Sequence, residues 1–335
     1  MMQHNWKPII QQLQFARKIL LTTHVNPDGD AIGSEMALYY CLQSMQKSVE
    51  ILNSSALPEE YAFLDPGKVI RQYNPNRDSG RLREFDLAFI LDVGGVTRIG
   101  SLGDDLAQAK IPCVCIDHHP ENHIVCDFKI VDEKESATSC LIYELIKRIN
   151  PGCINRRIAE AVYVGLMTDT GSFRFENATP KAFRLAAELL EYDVRPNEIY
   201  NRIYESHSPL RMALLGKVLQ QIHYEVDGRL AWFTIRQRDL QETAVSSDEI
   251  GGFTDLIRSI DGVEVAVMFL EVGLQQVRVN LRSKGQVIVN EIARQFDGGG
   301  HYYAAGLTFE GTVEAAVGAV IPIIRRALEK RGDKN

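Results

Sequence analysis

Carboxylates and imidazoles stand at the end of each strongly apolar run in the first half of the chain. The run 19–23 is followed by His24, then by Asp28 and Asp30. The run 85–91 ends at Asp92, and the run 111–116 ends at Asp117, His118 and His119. Asp169, within Thr168-Asp169-Thr170-Gly171, closes a helical segment. Taken singly, each has a plain explanation. Asn26-Pro27-Asp28-Gly29 is a good turn sequence, Asp92 precedes the loop glycines Gly94 and Gly95, and Asp117-His118-His119 suits a solvated strand end. Taken together, they form a hard oxygen and nitrogen donor set. Without thiolates, that set suits Mn2+ or Mg2+ rather than structural zinc. Asp28, Asp30, Asp92 and Asp169 carry four negative charges, which two divalent cations balance. A pair of such ions can clamp both oxygens of an in-line phosphoryl displacement.

The elements that must position these residues follow from hydrophobic pattern. The three runs are apolar almost throughout, as strands covered on both faces are. Segments 30–46, 136–149 and 155–168 read as helices, the last with Ile158, Val162 and Leu166 on one stripe. Strands alternating with helices predict a parallel α/β sheet, whose ligands bind beyond the carboxyl ends of the strands. A polar helical connector is expected over 192–221. Beyond it, runs at 230–235, 263–272 and 275–281, with a hairpin around Gly273, predict a second sheet of different rhythm. Helices are expected at 287–296 and 313–330, the latter kinked or divided by Pro322. The expected division is a catalytic domain at 1–191, the connector at 192–221, and a smaller α/β domain with a mixed sheet at 222–335.

That second half carries its own motif, Asp297-Gly298-Gly299-Gly300-His301. Glycines let backbone N–H groups approach an anion closely, and Arg282, with Lys284 beyond it, is placed to clamp a phosphate. Composition limits the partners. The chain of 335 residues is 45% hydrophobic and 24% charged, with a net charge of -7. These are the proportions of an ordinary globular protein, and the charge excludes a basic surface that would hold long duplex nucleic acid. The first residues resemble no secretory signal, and no apolar run is long enough for a membrane helix. Six cysteines at 41, 113, 115, 126, 140 and 153 show no metal spacing, so reduced, buried thiols in a cytoplasmic protein are expected.

Six ordered motifs, spanning nearly the whole chain, resemble those of the DHH phosphoesterases. His24-Val25-Asn26-Pro27-Asp28-Gly29-Asp30-Ala31-Ile32-Gly33-Ser34, Asp92, Asp117-His118-His119 and Thr168-Asp169-Thr170-Gly171 look like the family's four catalytic motifs. Arg282-Ser283-Lys284 and Gly298-Gly299-Gly300-His301 look like its associated C-terminal domain. One departure is Val93-Gly94-Gly95, where small polar residues are expected. The resemblance implies an active site in an interdomain cleft. One ion would rest on His24, Asp28 and Asp92, the other on Asp30, Asp92, His118 and Asp169. It gives His119 to the scissile phosphate, Asp117 to orienting an imidazole, and Arg282, Gly299, Gly300 and His301 to a second phosphate. Arg98 matches a family position with no contact assigned. The two-domain size is most like the branch acting on short RNA and on 3′-phosphoadenosine 5′-phosphate (pAp), with Mn2+ favoured over Mg2+ and a homodimer possible. Competing expectations are a phosphodiesterase for pApA, a RecJ-like exonuclease, a family II pyrophosphatase and a non-catalytic nucleotide-binding module.

Overall fold

The computed structural model describes residues 4–120, 124–247, 249–273 and 275–332. The chain divides into two compact units, Met1–Ser206 and His207–Asn335. In the first, strands β1 (Lys18–Thr22), β2 (Ser48–Asn53), β3 (Ile70–Gln72), β4 (Leu87–Leu91), β5 (Cys113–Asp117) and β6 (Phe128–Val131) form one sheet. Its order is β3-β2-β1-β4-β5-β6, and every pairing is parallel. This is the doubly wound order, in which the strand sequence reverses direction between β1 and β4 and opens a crevice there.

Strand residues alternate between two cores, as the two-residue period of a strand requires. Ile19, Leu21, Leu87, Phe89, Val114 and Ile116 join one cluster. Leu20, Ala88, Ile90 and Cys115 join the other. The helices are α1 (Lys7–Phe15), α2 (Gly29–Ser44), α3 (Pro75–Asp78), α4 (Ser101–Ala109), α5 (Thr138–Ile149), α6 (Arg156–Asp169), α7 (Pro180–Leu190) and α8 (Pro196–Tyr204). The first core takes α1, α2, α5 and α6, while Leu102 and Leu106 of α4 cover the other. Helix α2 begins two residues beyond Pro27, with Asp28 as its N-cap. One carboxylate oxygen of Asp28 accepts from the N–H groups of Asp30 and Ala31, both at 3.1 Å.

Close contact between α2 and α6 depends on two glycines. A Cβ on Gly33 would stand 2.3 Å from the Ala161 carbonyl oxygen. One on Gly165 would stand 2.5 Å from Asp30 Oδ1 and 2.4 Å from Ser139 Oγ. Gly33, part of the first motif, therefore serves helix packing.

The second unit holds α9 (Pro209–Gln220), β7 (His223–Glu225), β8 (Leu230–Ile235), α10 (Gln237–Thr243), α11 (Phe253–Arg258), β9 (Val265–Gly273) and β10 (Gln276–Ser283). It continues with α12 (Val289–Arg294), β11 (Gly299–His301), β12 (Ala304–Glu310) and α13 (Val313–Gly332). Its sheet runs β11-β12-β10-β9-β8-β7. Only β8 and β9 pair in parallel, so the sheet is mixed. The α/β class, the parallel first sheet and the mixed second sheet are as the sequence predicts, with most element ends displaced by one or two residues.

Two expectations are corrected, on Pro322 and on the cysteines. Helix α13 continues undivided through Pro322, because Val320, Ile321, Ile324 and Leu328 are buried on both sides of it. Helices α8 and α9 lie within the expected connector, 192–221. Ile199 and Ile203 of α8 pack into the first core, and Leu214, Leu215 and Val218 of α9 pack into a core of the second unit. None of the six cysteines forms a disulfide, but Cys113, Cys126 and Cys153 are only half-buried, because Cys113 opens β5 and the other two fall outside the strands and α-helices. No helix among the described residues is long and apolar enough to cross a membrane.

Substituting Gly33→Ala forces α2 away from α6, an overpacking that costs about 1–3 kcal/mol. Urea unfolding should show a lowered midpoint with an unchanged slope. An unaltered midpoint would mean that the helices are not held at this distance.

Candidate metal centre

The crevice between β1 and β4 collects the strand-end residues. His24 follows β1 by two residues, Asp92 follows β4 directly, and His118 follows β5. Asp30 and Asp92 are fully buried, and His24, His118 and His119 nearly so. Ligand atoms of His24, Asp28 and Asp92 lie within 4.8 Å of one another, as do those of Asp30, Asp92 and His118. Asp92 belongs to both groups. His118 Nε2 stands 3.4 Å from Asp169 Oδ2, 3.8 Å from Asp92 Oδ1 and 3.9 Å from Asp30 Oδ2. His24 Nε2 is 3.7 Å from both Asp28 Oδ2 and Asp92 Oδ2. Those separations are long for hydrogen bonds, and they leave a gap between donors that converge.

The backbone and neighbouring side chains aim each donor. Asp92 has a positive φ of 59°, a left-handed conformation costing about 1–2 kcal/mol for a residue with a Cβ. Its N–H still bonds the Ile116 carbonyl at 3.0 Å, and its Oδ1 accepts from Thr138 Oγ1 at 2.8 Å. Asp30 accepts from the N–H groups of Thr138 at 2.6 Å and Ser139 at 2.9 Å. Both amides belong to the buried first turn of α5, the end of a helix that favours an anion. His118 Nδ1 is 3.1 Å from the Glu135 carbonyl, and His24 Nδ1 is 2.9 Å from the Val25 carbonyl. In the tautomer that donates to these carbonyls, each Nε2 lone pair faces the carboxylates. Asn177 Nδ2 donates to the Asp169 carbonyl and carboxylate and to the Ser136 carbonyl. Asp28, whose other oxygen caps α2, keeps an exposed side chain.

His119 Nδ1 bonds the buried Asp117 carboxylate at 2.8 Å. Arg98 Nη2 lies 3.1 Å from His24 Nδ1, and Val25 N–H donates to the Arg98 carbonyl. Arg98 thus borders the His24 side of the site. Thr138, Ser139, Glu135 and Asn177 were not singled out by sequence. The run Ser136-Ala137-Thr138-Ser139 before an apolar helix marks a helix start, but nothing local tells which carboxylates it serves.

The donor set fits divalent cations by an observation independent of family. His24 Nε2 is buried with no hydrogen-bond partner, a costly state for a polar atom, and it faces two carboxylates. Electrostatics point the same way. Burial pushes Asp169 up to about 7, with the charges of Asp28 and Asp92 adding to the effect against His118. Burial and Asp92 likewise raise Asp30 well above the carboxylate range. Burial and Arg98 pull His24 down, but Asp28 and Asp92 outweigh them and hold it at about 9. In Asp28 desolvation is outweighed by His24, and the carboxyl is lowered. Protons occupy this cluster where cations would relieve it.

In the second unit, Arg282 of β10 and His301 of β11 both pair with Ala304 of β12, so they occupy one row across the sheet and face the same side. Arg282 Nε bonds Asp255 Oδ2 at 3.2 Å. Asp255 also pairs with Arg258 at 3.3 Å. The glycines form the sheet's edge strand, and Gly300 has a φ of 134° with no room for a Cβ beside the Ala304 carbonyl. The glycine motif is therefore a fixed edge of this sheet.

Comparison with known proteins is consistent across the chain. Residues 18–166 match the DHH family, N-terminal domain, and residues 230–330 match the DHHA1 domain. A protein of Thermus thermophilus, named bifunctional oligoribonuclease and PAP phosphatase NrnA, is 33% identical over 320 residues, covering 94% of this chain and 91% of its own. Its namesake in Bacillus subtilis is 29% identical, covering 92% and 94%. Among solved structures, an exopolyphosphatase-related protein from Bacteroides fragilis superposes with a TM-score of 0.86 at 29% identity, covering 96% and 95%.

For the metal-free protein the raised groups set a pH dependence. A folded-state pKa above the unfolded one stabilises at low pH and is lost as pH rises through the folded value. Asp169, Asp30 and His24 all shift upward, while lowered Asp28 acts only below about pH 4, near the ordinary aspartate pKa. Thermal melts in chelator should therefore fall between about pH 4 and pH 9. Excess Mn2+ should restore the melting temperature at neutral pH, by about 2.7 kcal/mol at a hundredfold excess over Kd. A melt insensitive to Mn2+ would count against the centre.

Proposed function

The chain belongs to the DHH family of phosphoesterases, and from that premise we propose that it is a two-metal hydrolase of very short RNA. It releases nucleoside 5′-monophosphates from such RNA and removes the 3′-phosphate of pAp. The observation that carries this reading is Asp92, shared between the His24-Asp28-Asp92 and Asp30-Asp92-His118 groups. A shared carboxylate between two sets of donors suits a pair of ions. The printed names of the relatives in Thermus thermophilus and Bacillus subtilis supply the substrate class.

His24, Asp28 and Asp92 would hold one ion, and Asp30, Asp92, His118 and Asp169 the other, with Mn2+ preferred over Mg2+. When bound, the ions supply positive charge to the scissile phosphate and lower the pKa of a water nucleophile. The chain's residues do the rest. The Glu135 carbonyl fixes the His118 tautomer. The Asp117 carboxylate holds His119 by Nδ1, and His119 would contact the phosphate and assist the departing oxygen. Thr138 and the first turn of α5 hold Asp92 and Asp30 against mutual repulsion. Arg282, Gly299, Gly300 and His301 would bind a second phosphate of the substrate. Recognition through two phosphates favours short substrates, in accord with a net charge of -7.

Purified protein with Mn2+ should release mononucleotides from a diribonucleotide and phosphate from pAp. Asp92→Ala should lower both rates by about 10³ or more, since oriented catalytic groups of this kind contribute several kcal/mol. Turnover of pApA alone would redirect the assignment to a dinucleotide phosphodiesterase. Full activity of the Asp92 variant would refute the two-ion site.

A further inference from the structure

Glu35 lies on α2, fully buried, and is none of the donors described above. One of its oxygens accepts from Asn53 Nδ2 at 2.8 Å. Its other oxygen is buried with no hydrogen-bond partner. A carboxyl so placed is a poor filler for a core that Ile32, Met36 and Leu38 otherwise line. Its use lies in what it does to Asn53.

Asn53 is the buried last residue of β2. Its Oδ1 accepts from the Thr23 N–H at 3.2 Å and stands 3.5 Å from Thr22 Oγ1. The two ends of an asparagine amide are alike in size, so hydrogen bonding alone decides which faces where. Turned over, Asn53 would set its NH2 against the Thr23 N–H, donor against donor. An acceptor on the far side prevents that, and Glu35 is the acceptor. Thr23 Oγ1 further donates to the Leu91 carbonyl at 2.8 Å, one residue before Asp92. The residue after Thr23 is His24.

We propose that Glu35 is a positioning residue for the His24 half of the metal centre: it locks the Asn53 amide, which fixes the end of β1 between α2 and β4. Burial, opposed by Asn53 and the nearby His24 and reinforced by Asp65, raises its carboxyl to about 8. It therefore stays neutral at neutral pH, and a neutral carboxyl keeps the carbonyl oxygen that this bond needs. The proposal rests on the two-ion reading given above.

The test is calorimetric Mn2+ titration of the full chain without substrate, each variant first checked for a cooperative thermal melt. Glu35→Gln retains an acceptor oxygen and should bind both ions within about twofold of wild type. Glu35→Leu should weaken one of the two ions about tenfold and leave the other unchanged. Asn53→Ala should weaken the same ion by a similar factor, and the double variant should be no worse than either. If Glu35→Leu fails to fold, Asn53→Ala against Glu35→Gln carries the comparison. Equal weakening by Glu35→Gln and Glu35→Leu, or none by Glu35→Leu and Asn53→Ala, overturns the proposal. Each result is set beside His24→Ala. If that variant binds both ions normally, the two-ion reading itself fails; if it loses one while the Glu35 and Asn53 variants lose none, only the positioning role falls.

Discussion

Like charge held out of water is the constraint to which the first unit answers. Asp30 and Asp92 are fully buried, and Asp169 and Asp28 stand beside them across two imidazoles. Carboxylates at such spacing repel strongly in a medium less polarisable than water, and each loses its hydration. The fold meets this with dipoles rather than with lysine or arginine. Two N–H groups of α5 face Asp30, a threonine hydroxyl faces Asp92, and an asparagine amide faces Asp169. Full cationic partners would occupy the carboxylates. Neutral donors leave carboxylate lone pairs available to a cation.

That requirement explains the topology. A doubly wound sheet brings β1 and β4 side by side with connections leaving in opposite directions, so donors distant in sequence meet without crowding by a crossover. Helix α2 carries Asp28 at its cap and Asp30 in its first turn, and α6 carries Asp169 at its end. The two helices can sit close enough for these to meet only because Gly33 and Gly165 lack side chains. A packing feature and a chemical one thus share residues, and helix separation sets donor separation directly.

The donors themselves were legible in the sequence because each follows an apolar run, and strand ends in a parallel sheet converge by rule. The residues that orient them were not. Thr138 and Ser139 act across 46, 108 and 109 positions, and Asn177 across a turn after α6. Their types are ordinary for a helix start or a loop. Glu35 reads as one polar residue in an apolar helix, where solvent exposure is the default expectation; its burial depends on β2 ending beside β1. The left-handed φ of Asp92 leaves no trace in composition. Pro322 misled in the opposite sense: local chemistry predicts a kink or a division, and the helix runs on undivided with buried residues on both sides of the proline.

The second unit follows a different logic. Its row Arg282–Ala304–His301 is set by antiparallel register, which places side chains on adjacent strands more rigidly than loops can. Ala304 is small, so it separates the arginine from the histidine along that row without a bulky side chain. Asp255 bonds both Arg282 and Arg258. One carboxylate between two guanidinium groups leaves a net positive charge while holding Arg282 in place before any anion arrives. The first unit gathers carboxylates around two imidazoles and the second holds two guanidinium groups on one carboxylate. In a chain with a net charge of -7, what matters to each unit is where charge is fixed rather than its sum.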